Sequence, residues 1–590
     1  MIRAITITII LLLLSIPAFG AASEGHITLL TVGERNNETF GGTADLFLEI
    51  RPGSGRIFID SFPISRMDTQ ISTRYAKDIA CNFLDKDCTD KDFFYTIRTG
   101  STVVGGPSAG AATTLLTISL LDNKRLDRNT VMTGTINSGG IIGPVAGIEE
   151  KAIAAREAGF NKVLIPKWSV IERGDPEQNE TAKYADSLEV EGIEIILVST
   201  IEEALYEFTG VEYEDYQYEI SIPERYQEIM GGIASDLCTR YDEIITGIPE
   251  EVLSENERII NETRDARENA EQAIGRNDYY SAASFCFTAN TAARNLEYRN
   301  LSEEEREAIA ERLMQETLSE ITSINNEEIN TLSDLEAVIV VKERLLEAQN
   351  TLQEPNAIDR VGYAEERLYS AKAWSRFLDY GAGKEVVLDE NHLSSVCTTK
   401  IAEAEERINY LDLMFPGTAE DYREDLRDTR VIKQAEDYPF CIFRATRVKA
   451  DANAVLSATA VSREKISELI DDKLRLSRAQ INRQGENFPI LGYSYYDYAM
   501  SLQENRPELA IVFSEYATEF SNLDMYFPPK EAVERFEIPT LDPQFSFGFF
   551  LGMTLGILLT AAIITGIASN KKKAGKKKRA MKKRKAKRKR

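Results

Sequence analysis

Apolar residues in the first third of the chain fall in short runs of strand-like pattern, separated by stretches with helical spacing. The short runs predict strands at 27–32, 44–50, 56–60, 94–98, 130–135, 162–166 and 194–198. The helical stretches are 69–84, 108–121, 148–158 and 201–209. The turn sequence Arg-Pro-Gly-Ser-Gly at 51–55 predicts a hairpin between the second and third strands. Residues 24–210 are therefore expected to form a domain of mixed α and β structure.

The pattern changes between 215 and 527, where Pro and Gly become sparse and long segments have helical spacing. These helices are predicted at 255–276, 277–298, 303–322, 332–352, 364–380, 399–413, 457–483 and 493–527. Three segments, 273–298, 351–380 and 501–527, share a helix end, a polar turn and a helix with small and aromatic residues. They fit stacked helical hairpins of the tetratricopeptide kind and, equally well, an irregular helical bundle. We expect an all-α helical domain here, an interaction or gating module whose partner the sequence does not identify.

Both ends of the chain carry patterns typical of membrane-directed proteins. Residues 1–22 have an early basic residue, an apolar run and then small residues, which predicts a secretory signal peptide or, alternatively, an uncleaved anchor. Residues 545–568 are 24 uncharged residues, enough for a transmembrane helix of about 36 Å. A proline-containing stalk is expected at 528–544, and a basic tail occupies 571–590. The positive-inside rule then predicts a single-pass protein of the cell membrane, with an extracytoplasmic body and a cytoplasmic tail.

Charge is distributed unevenly along the chain. Its 590 residues have a formal net charge of -26, yet the tail at 571–590 holds 15 basic residues and no acidic one. The other 570 residues carry 54 basic groups against 95 acidic ones, so this body is expected to bind no nucleic acid. The tail suits anionic lipid better than it suits nucleic acid.

The six cysteines predict disulfides, because their number is even and the body is expected to be secreted. Six cysteines allow 15 pairings. One of these is the sequential pairing, which would join Cys81 to Cys88, Cys238 to Cys286 and Cys397 to Cys441. No C-x-x-C motif occurs, so no metal site is expected.

Ser108 lies in a segment of small residues, Gly-Gly-Pro-Ser-Ala-Gly at 105–110, at the start of a predicted helix. The N–H groups and the positive dipole end at a helix N-terminus suit the oxyanion that forms when a serine attacks a peptide carbonyl. Gly106, Ala109 and Gly110 are the candidates for contacts with this oxyanion and with the backbone of a substrate.

A serine nucleophile needs a base, and the chain has only two histidines, His26 and His392. Lys151, in the first turn of a predicted helix, is the candidate base. Burial can lower the pKa of a lysine far enough for the neutral amine to accept a proton. The alternative is a solvated lysine paired with Glu149 or Glu150.

A series of short motifs surrounds these residues. They are Gly-Pro-Ser-Ala-Gly at 106–110, Val-Met-Thr-Gly at 131–134, Gly-Ile-Glu-Glu-Lys at 147–151 and Val-Leu-Ile-Pro at 163–166. Their order and spacing resemble the proteolytic domain of Lon proteases over about residues 40–205. The resemblance implies an α+β domain like ribosomal protein S5 domain 2. It also implies a Ser-Lys dyad, with Ser108 as nucleophile, Lys151 as general base and Thr133 as the residue that orients the lysine.

The chain departs from the Lon pattern in three ways. Gly105 stands where the family has an acid, Ala146 replaces the first glycine of the lysine motif, and no phosphate-loop motif of an ATPase is present. The resemblance implies an ATP-independent serine endopeptidase that cleaves extracytoplasmic peptides or unfolded proteins. The alternative is a non-catalytic Lon-fold scaffold or binding module at the cell surface. A homo-oligomer such as a hexamer is implied as well, and no cofactor is expected.

Overall fold

The structure of the protein is a computed structural model, and it describes most of the chain. The described residues are 23–35, 38–62, 64–100, 105–172, 182–213, 219–354, 359–485, 487–530, 572 and 574–581. Those up to Pro528 belong to one compact unit and those after it to a second. In the second unit, the residues described at 572 and 574–581 are helical.

A seven-stranded mixed sheet organises the first part of the chain. The strands are β1 (Ser23–Arg35), β2 (Glu38–Pro52), β3 (Ile57–Phe62), β4 (Lys91–Thr99), β5 (Thr130–Met132), β6 (Thr135–Ile136), β7 (Ile142–Gly143), β8 (Lys162–Pro166), β9 (Val170–Glu172), β10 (Lys183–Tyr184) and β11 (Glu194–Val198). The order in the large sheet is β11-β8-β5-β1-β2-β4-β3, while β6 pairs with β7 and β9 with β10 in two small sheets. Parallel pairing joins β1, β5, β8 and β11, and antiparallel pairing joins β1 to β2 and β2 to β4.

Helices pack on both faces of this sheet, because its central strand is apolar on both sides. These helices are α1 (Met67–Phe83), α2 (Gly110–Leu121), α3 (Ile148–Glu157) and α4 (Ile201–Thr209). The neighbours Leu29 and Leu30 on β1 point to opposite faces. Leu29 joins a core cluster that includes α2, and Leu30 joins another that includes α3. The Ser108 helix and the Lys151 helix therefore lie on opposite faces of the sheet.

The predicted strands and helices of this part are present, but the predicted hairpin at 51–55 is wrong. Strand β4 lies between β2 and β3, and β3 runs parallel to β4. The turn folds onto the start of β4 because Asp92 Oδ1 accepts the N–H groups of Ser54 (2.8 Å) and Arg56 (3.0 Å). The hairpin of this sheet is instead formed by β1 and β2, which meet at the pair Arg35 and Glu38.

The rest of the first unit is helical. Its helices are α5 (Glu224–Gly247), α6 (Glu250–Glu255), α7 (Glu257–Gly275), α8 (Tyr279–Arg299), α9 (Glu303–Ile324), α10 (Leu332–Gln353), α11 (Arg360–Trp374), α12 (Glu390–Met414), α13 (Glu420–Gln434), α14 (Tyr438–Thr459), α15 (Ile466–Arg483), α16 (Ile490–Leu502) and α17 (Pro507–Phe520). Short turns join α7 to α8, α13 to α14 and α16 to α17. The two helices of each of these pairs pack on each other, and so do α10 and α11. The three segments that look alike in the sequence each contain the end of one helix and all or nearly all of the next: α7 and α8, α10 and α11, and α16 and α17.

Disulfides tie the helical part together in two places. Cys238–Cys286 joins α5 to α8, and Cys397–Cys441 joins α12 to α14. The turns that lead into α8 and α14, the second helix of each disulfide-linked pair, have the same form. Each has one residue with positive φ followed by an aspartate: Asn277 (64°) before Asp278, and Glu436 (61°) before Asp437. The third disulfide, Cys81–Cys88, closes the end of α1. The cysteines thus pair in sequential order.

The predicted C-terminal transmembrane helix requires a correction. Among the helices in the described part of the chain, none has the length and apolar character needed to cross a membrane. This finding overturns the transmembrane helix as part of the fold, together with the single-pass membrane location that rested on it. The segment for which the helix was predicted, 545–568, lies outside the described residues, as do the predicted signal peptide at 1–22 and most of the stalk at 528–544.

Candidate active site

Ser108 lies in a loop that leads into α2, two residues before the helix begins at Gly110. Side chains of α1 hold this loop: the Thr69 hydroxyl donates to Gly106 O at 3.3 Å, and the Ser72 hydroxyl donates to Pro107 O at 3.4 Å. Gly106 has a φ of 92°, a conformation that favours glycine. The Ser108 side chain is partly exposed, so a substrate could reach it.

The loop between β5 and β6 connects Ser108 with Lys151. Ser108 O accepts the Gly134 N–H at 3.0 Å and the Thr133 hydroxyl at 3.3 Å. Lys151 Nζ donates to the same Thr133 oxygen at 3.2 Å. The three residues named by the motifs therefore meet at Thr133. Among the described residues, no hydrogen bond joins Ser108 Oγ directly to Lys151 Nζ.

Lys151 is almost fully buried, with 1% of its surface exposed. It lies in the first turn of α3, where Ile148 and Ala152 belong to an apolar cluster that also contains Val131 and Val163 of the sheet. Burial lowers the pKa of Lys151 to about 7, and the nearby Glu150 carboxylate opposes that shift. At neutral pH a large fraction of Lys151 is therefore an uncharged amine, able to accept a proton. The solvated, ion-paired alternative does not fit this burial.

The small residues around Ser108 differ in how they are used. Gly110 N–H donates to Pro107 O at 2.9 Å, and a Cβ on Gly110 would lie 2.8 Å from Ser72 Oγ. The protein's own packing thus explains this glycine. Ala109 N–H has no hydrogen-bond acceptor in the part of the chain that the structure describes, so it stays available for a substrate oxygen.

Both residues that depart from the Lon pattern have identifiable surroundings. A Cβ on Gly105 would lie 2.6 Å from Arg66 Cδ, so an arginine side chain occupies the space that an acidic side chain would need. Ala146 packs against the core of the helical part. The helical part is therefore in contact with the segment that leads into the lysine motif.

Three side chains of the helical part bind carbonyl oxygens of the segment between Thr133 and Lys151. Arg407 Nη2 donates to Ile136 O (3.3 Å), Gln480 Nε2 to Gly139 O (3.0 Å) and Tyr410 OH to Pro144 O (3.1 Å). Such buried carbonyl groups need a partner, and here the partners come from α12 and α15. No local sequence pattern indicates these three residues, which lie roughly 270 to 340 positions from the segment they bind.

A buried ion cluster lies at the same contact. Lys449 Nζ lies 3.0 Å from Glu403 Oε2, 3.0 Å from Glu519 Oε2, 3.0 Å from the Tyr75 hydroxyl and 3.3 Å from the Ser138 hydroxyl. Burial disfavours the charge on Lys449, but the two glutamates outweigh it and raise the pKa of the lysine well above its usual value. Tyr75 and Ser138 belong to the α/β part, so the cluster joins the two parts of the unit.

Neither histidine lies at the site. His26 Nε2 is 2.9 Å from Asp45 Oδ1, and His392 Nε2 is 2.7 Å from Tyr526 O. No group of three or more metal-binding side chains is found among the described residues.

Residues 65–207 match the family described as the Lon protease (S16) C-terminal proteolytic domain. The chain is 31% identical to the Lon protease of Methanosarcina barkeri over 172 residues, which are 28% of this chain and 20% of that protein. It is 36% identical to the Lon protease of Phenylobacterium zucineum over 117 residues, 20% of this chain and 14% of that one. For the Lon protease of Azospirillum brasilense the identity is 29% over 191 residues, 32% of this chain and 22% of that one.

The chain thus spans only about a fifth, or less, of these curated relatives. The resemblance inferred from the motifs is confirmed: this part of the chain is Lon-like. The matched region contains Ser108, Thr133 and Lys151 and ends before the helical part begins.

Proposed function

We propose that the Lon-like domain at residues 65–207 is a serine peptidase in which Ser108 is the nucleophile and Lys151 the general base. The observation that carries this proposal is the buried Lys151 amine, whose pKa of about 7 lets it accept a proton at neutral pH. Thr133 supports it, because one hydroxyl binds both the lysine amine and the Ser108 carbonyl. Thr133 is thus proposed to position the lysine.

The proposed reaction begins when Ser108 Oγ attacks the carbonyl carbon of a peptide bond and its proton passes to Lys151 Nζ. Since the lysine donates to Thr133 in the structure, this step needs a rotation of the serine or lysine side chain toward the other. The Ala109 N–H is proposed to donate to the resulting oxyanion. Lys151 then gives its proton to the leaving amine, and a water molecule activated by the neutral lysine hydrolyses the acyl-enzyme.

Cleavage by this chain is proposed to need no ATP, because its 590 residues contain no phosphate-loop motif. Because these 590 residues supply no ATPase motif that could drive unfolding of a folded protein, peptides and unfolded chains are the proposed substrates. The three disulfides favour substrates met in an oxidising compartment. The homo-oligomer implied by the resemblance stays a prediction, which sedimentation of the purified chain would check.

A serine-directed fluorophosphonate probe tests the proposed nucleophile. We expect one probe per chain on the peptide that contains Ser108, seen by mass spectrometry, because an activated serine reacts far faster than an ordinary one. Ser108→Ala should remove the label, whereas Ser187→Ala, at an exposed serine of the same part, should keep it. An unlabelled chain that also leaves unfolded casein intact without ATP would favour the non-catalytic scaffold instead.

The pH dependence of cleavage tests the proposed base. Lys151 works only when neutral, so kcat/KM should rise with pH and level off above a midpoint near 7. Because Glu150 raises the pKa of the lysine, Glu150→Gln should move this midpoint to lower pH. A rate that is constant between pH 5.5 and 8.5, or that falls with rising pH, would contradict the proposed role of Lys151.

A further inference from the structure

A cavity of about 370 Å³ opens to the surface of the helical part, and no residue of the α/β part lines it. Its walls come mainly from α8, α10, α11, α14, α16 and α17. The volume falls in the range of small-ligand pockets, about 300–1,000 Å³.

Aromatic rings form much of the wall. Seven of the lining residues are Phe, Tyr or Trp, and among them Phe287 and Phe513 are only partly covered by the rest of the protein. Leu509 and Val512 add aliphatic surface at the side formed by α17. Covering exposed aromatic surface of this kind with an apolar group is favourable, because it removes that surface from water.

Three arginines line the same cavity and share one carboxylate. Glu343 Oε2 lies 3.4 Å from Arg344 Nη1. Glu343 Oε1 lies 3.5 Å from Arg367 Nη2 and 3.3 Å from Arg447 Nη1. Arg367 has a second acid, Glu347, and the guanidinium of Arg344 also stacks 4.6 Å from the Trp374 ring centre. The two oxygens of Glu343 therefore cannot satisfy all the N–H donors that converge on them.

Arg447 is the member of this group that is most open to the cavity. A third of its side chain (33%) is exposed, and Glu343 is its one ion-pair partner among the described residues. The other nearby acid, Asp451, accepts the Tyr516 hydroxyl at 2.6 Å; it favours the charge on Arg447 but forms no ion pair with it within the described residues. Arg447 thus presents guanidinium donors beside an aromatic wall, a combination that suits a planar anion on an apolar group.

We propose that this cavity binds a carboxylate carried by an aromatic or large apolar group, with Arg447 as the residue that receives the carboxylate. A peptide chain that ends in such a residue has this chemistry, and so does a free aromatic acid. The proposal is independent of the peptidase reaction, since the cavity and the Ser108 loop share no residue.

Isothermal titration of the full chain carrying Ser108→Ala tests this site without cleavage of the probe. The probes are N-acetyl-phenylalanine, its amide, and a capped Gly-Ser-Gly-Ser-Gly-Phe peptide as free acid and as amide. We expect the acids to bind at least tenfold more tightly than the amides. Tighter binding of the peptide acid would identify a chain end as the ligand, and equal binding of both acids would identify a free aromatic acid.

Two variants and one matched control decide whether the cavity is responsible. Arg447→Met should weaken the acids at least tenfold and leave the amides unchanged. Arg444→Met, on the same helix but paired with Asp425 at 2.8 Å, should bind like the parent chain. Thr288→Trp, an exposed position at the cavity wall, should weaken acids and amides alike and leaves the arginines in place. Equal binding of acid and amide, no effect of Arg447→Met in a folded chain, or no binding of any probe at millimolar concentration would overturn the proposal.

Discussion

Replacing Lys151 with methionine is expected to lower kcat/KM for an unfolded protein substrate by roughly 10³-fold, because general-base catalysis contributes on this scale. Methionine fills a similar volume in the buried site around α3 but has no nitrogen to accept the serine proton. Casein cleavage followed by a fluorescent label would measure the loss. Thr133 keeps its hydrogen bond to Ser108 O in this variant, so the Ser108 loop should stay in place.

The same substitution is expected to raise the free energy of unfolding. An unfolded lysine has a pKa near 10.5 and the folded Lys151 a pKa of about 7, so folding at lower pH has to expel a proton or bury a charge. At about 1.4 kcal/mol per pKa unit, this costs the parent chain roughly 3–5 kcal/mol at pH 6. The gain from Lys151→Met should therefore be largest below pH 7 and shrink as the pH rises toward 10.5.

Lys86→Met is a matched control for both measurements. Lys86 belongs to the same part of the chain, but 39% of its side chain is exposed, and its amine binds Leu121 O. This control should change activity by less than twofold and show no comparable gain in stability at pH 6. If Lys151→Met keeps parental activity, or destabilises the fold at pH 6, the buried neutral base is not the correct description.

Lys449→Met is expected to destabilise the first unit by roughly 3–5 kcal/mol, the cost typical of breaking a buried ion pair on one side. Among the described residues, the one cation left near the two carboxylates would then be Lys400, whose Nζ lies 3.4 Å from Glu403 Oε2 and 3.9 Å from Glu519 Oε2. All four side chains are buried, so water cannot replace the lost cation. Urea unfolding at pH 7.5 would measure the loss, which should decrease at pH 5, where the unpaired carboxylate can take up a proton.

A charge-balanced double variant separates this cause from simple loss of packing. Lys449→Met with Glu403→Gln leaves one lysine and one glutamate in the cluster, so it should be more stable than Lys449→Met alone. Lys372→Met, at a lysine that is 40% exposed on α11, should cost little. Equal destabilisation in the single and double variants would show that charge balance is not what the cluster supplies.

Local sequence patterns predicted the α/β elements well because each one depends mostly on its own residues. The predicted strand at 162–166 and the predicted helix at 201–209 coincide with β8 (Lys162–Pro166) and α4 (Ile201–Thr209). The hairpin failed for the opposite reason. Its turn is fixed by Asp92, which lies on another strand and about 40 positions along the chain.

The candidate active site was likewise predictable only where it depends on residues close together in the sequence. Ile148 and Ala152 lie beside Lys151 on its own helix, but the depth of its burial also depends on Val131 and Val163 of the sheet. The contacts from the helical part had a weaker signal. Lys449 lies among residues such as Val448 and Ala452 at buried positions of α14, so it occupies an apolar register rather than a solvated face. That pattern shows that a lysine is buried, but not that Ser138 is its partner.

The family match ends at residue 207, but the folded unit does not. A fragment cut between the two parts, near 210, would leave the carbonyl groups of Ile136, Gly139 and Pro144 without their present partners. It would also strip the cover from Ala146 and Trp168, which pack against the helical core. Homology alone therefore places the end of the folded unit too early, and any fragment made to test the proposed activity should extend to about residue 528.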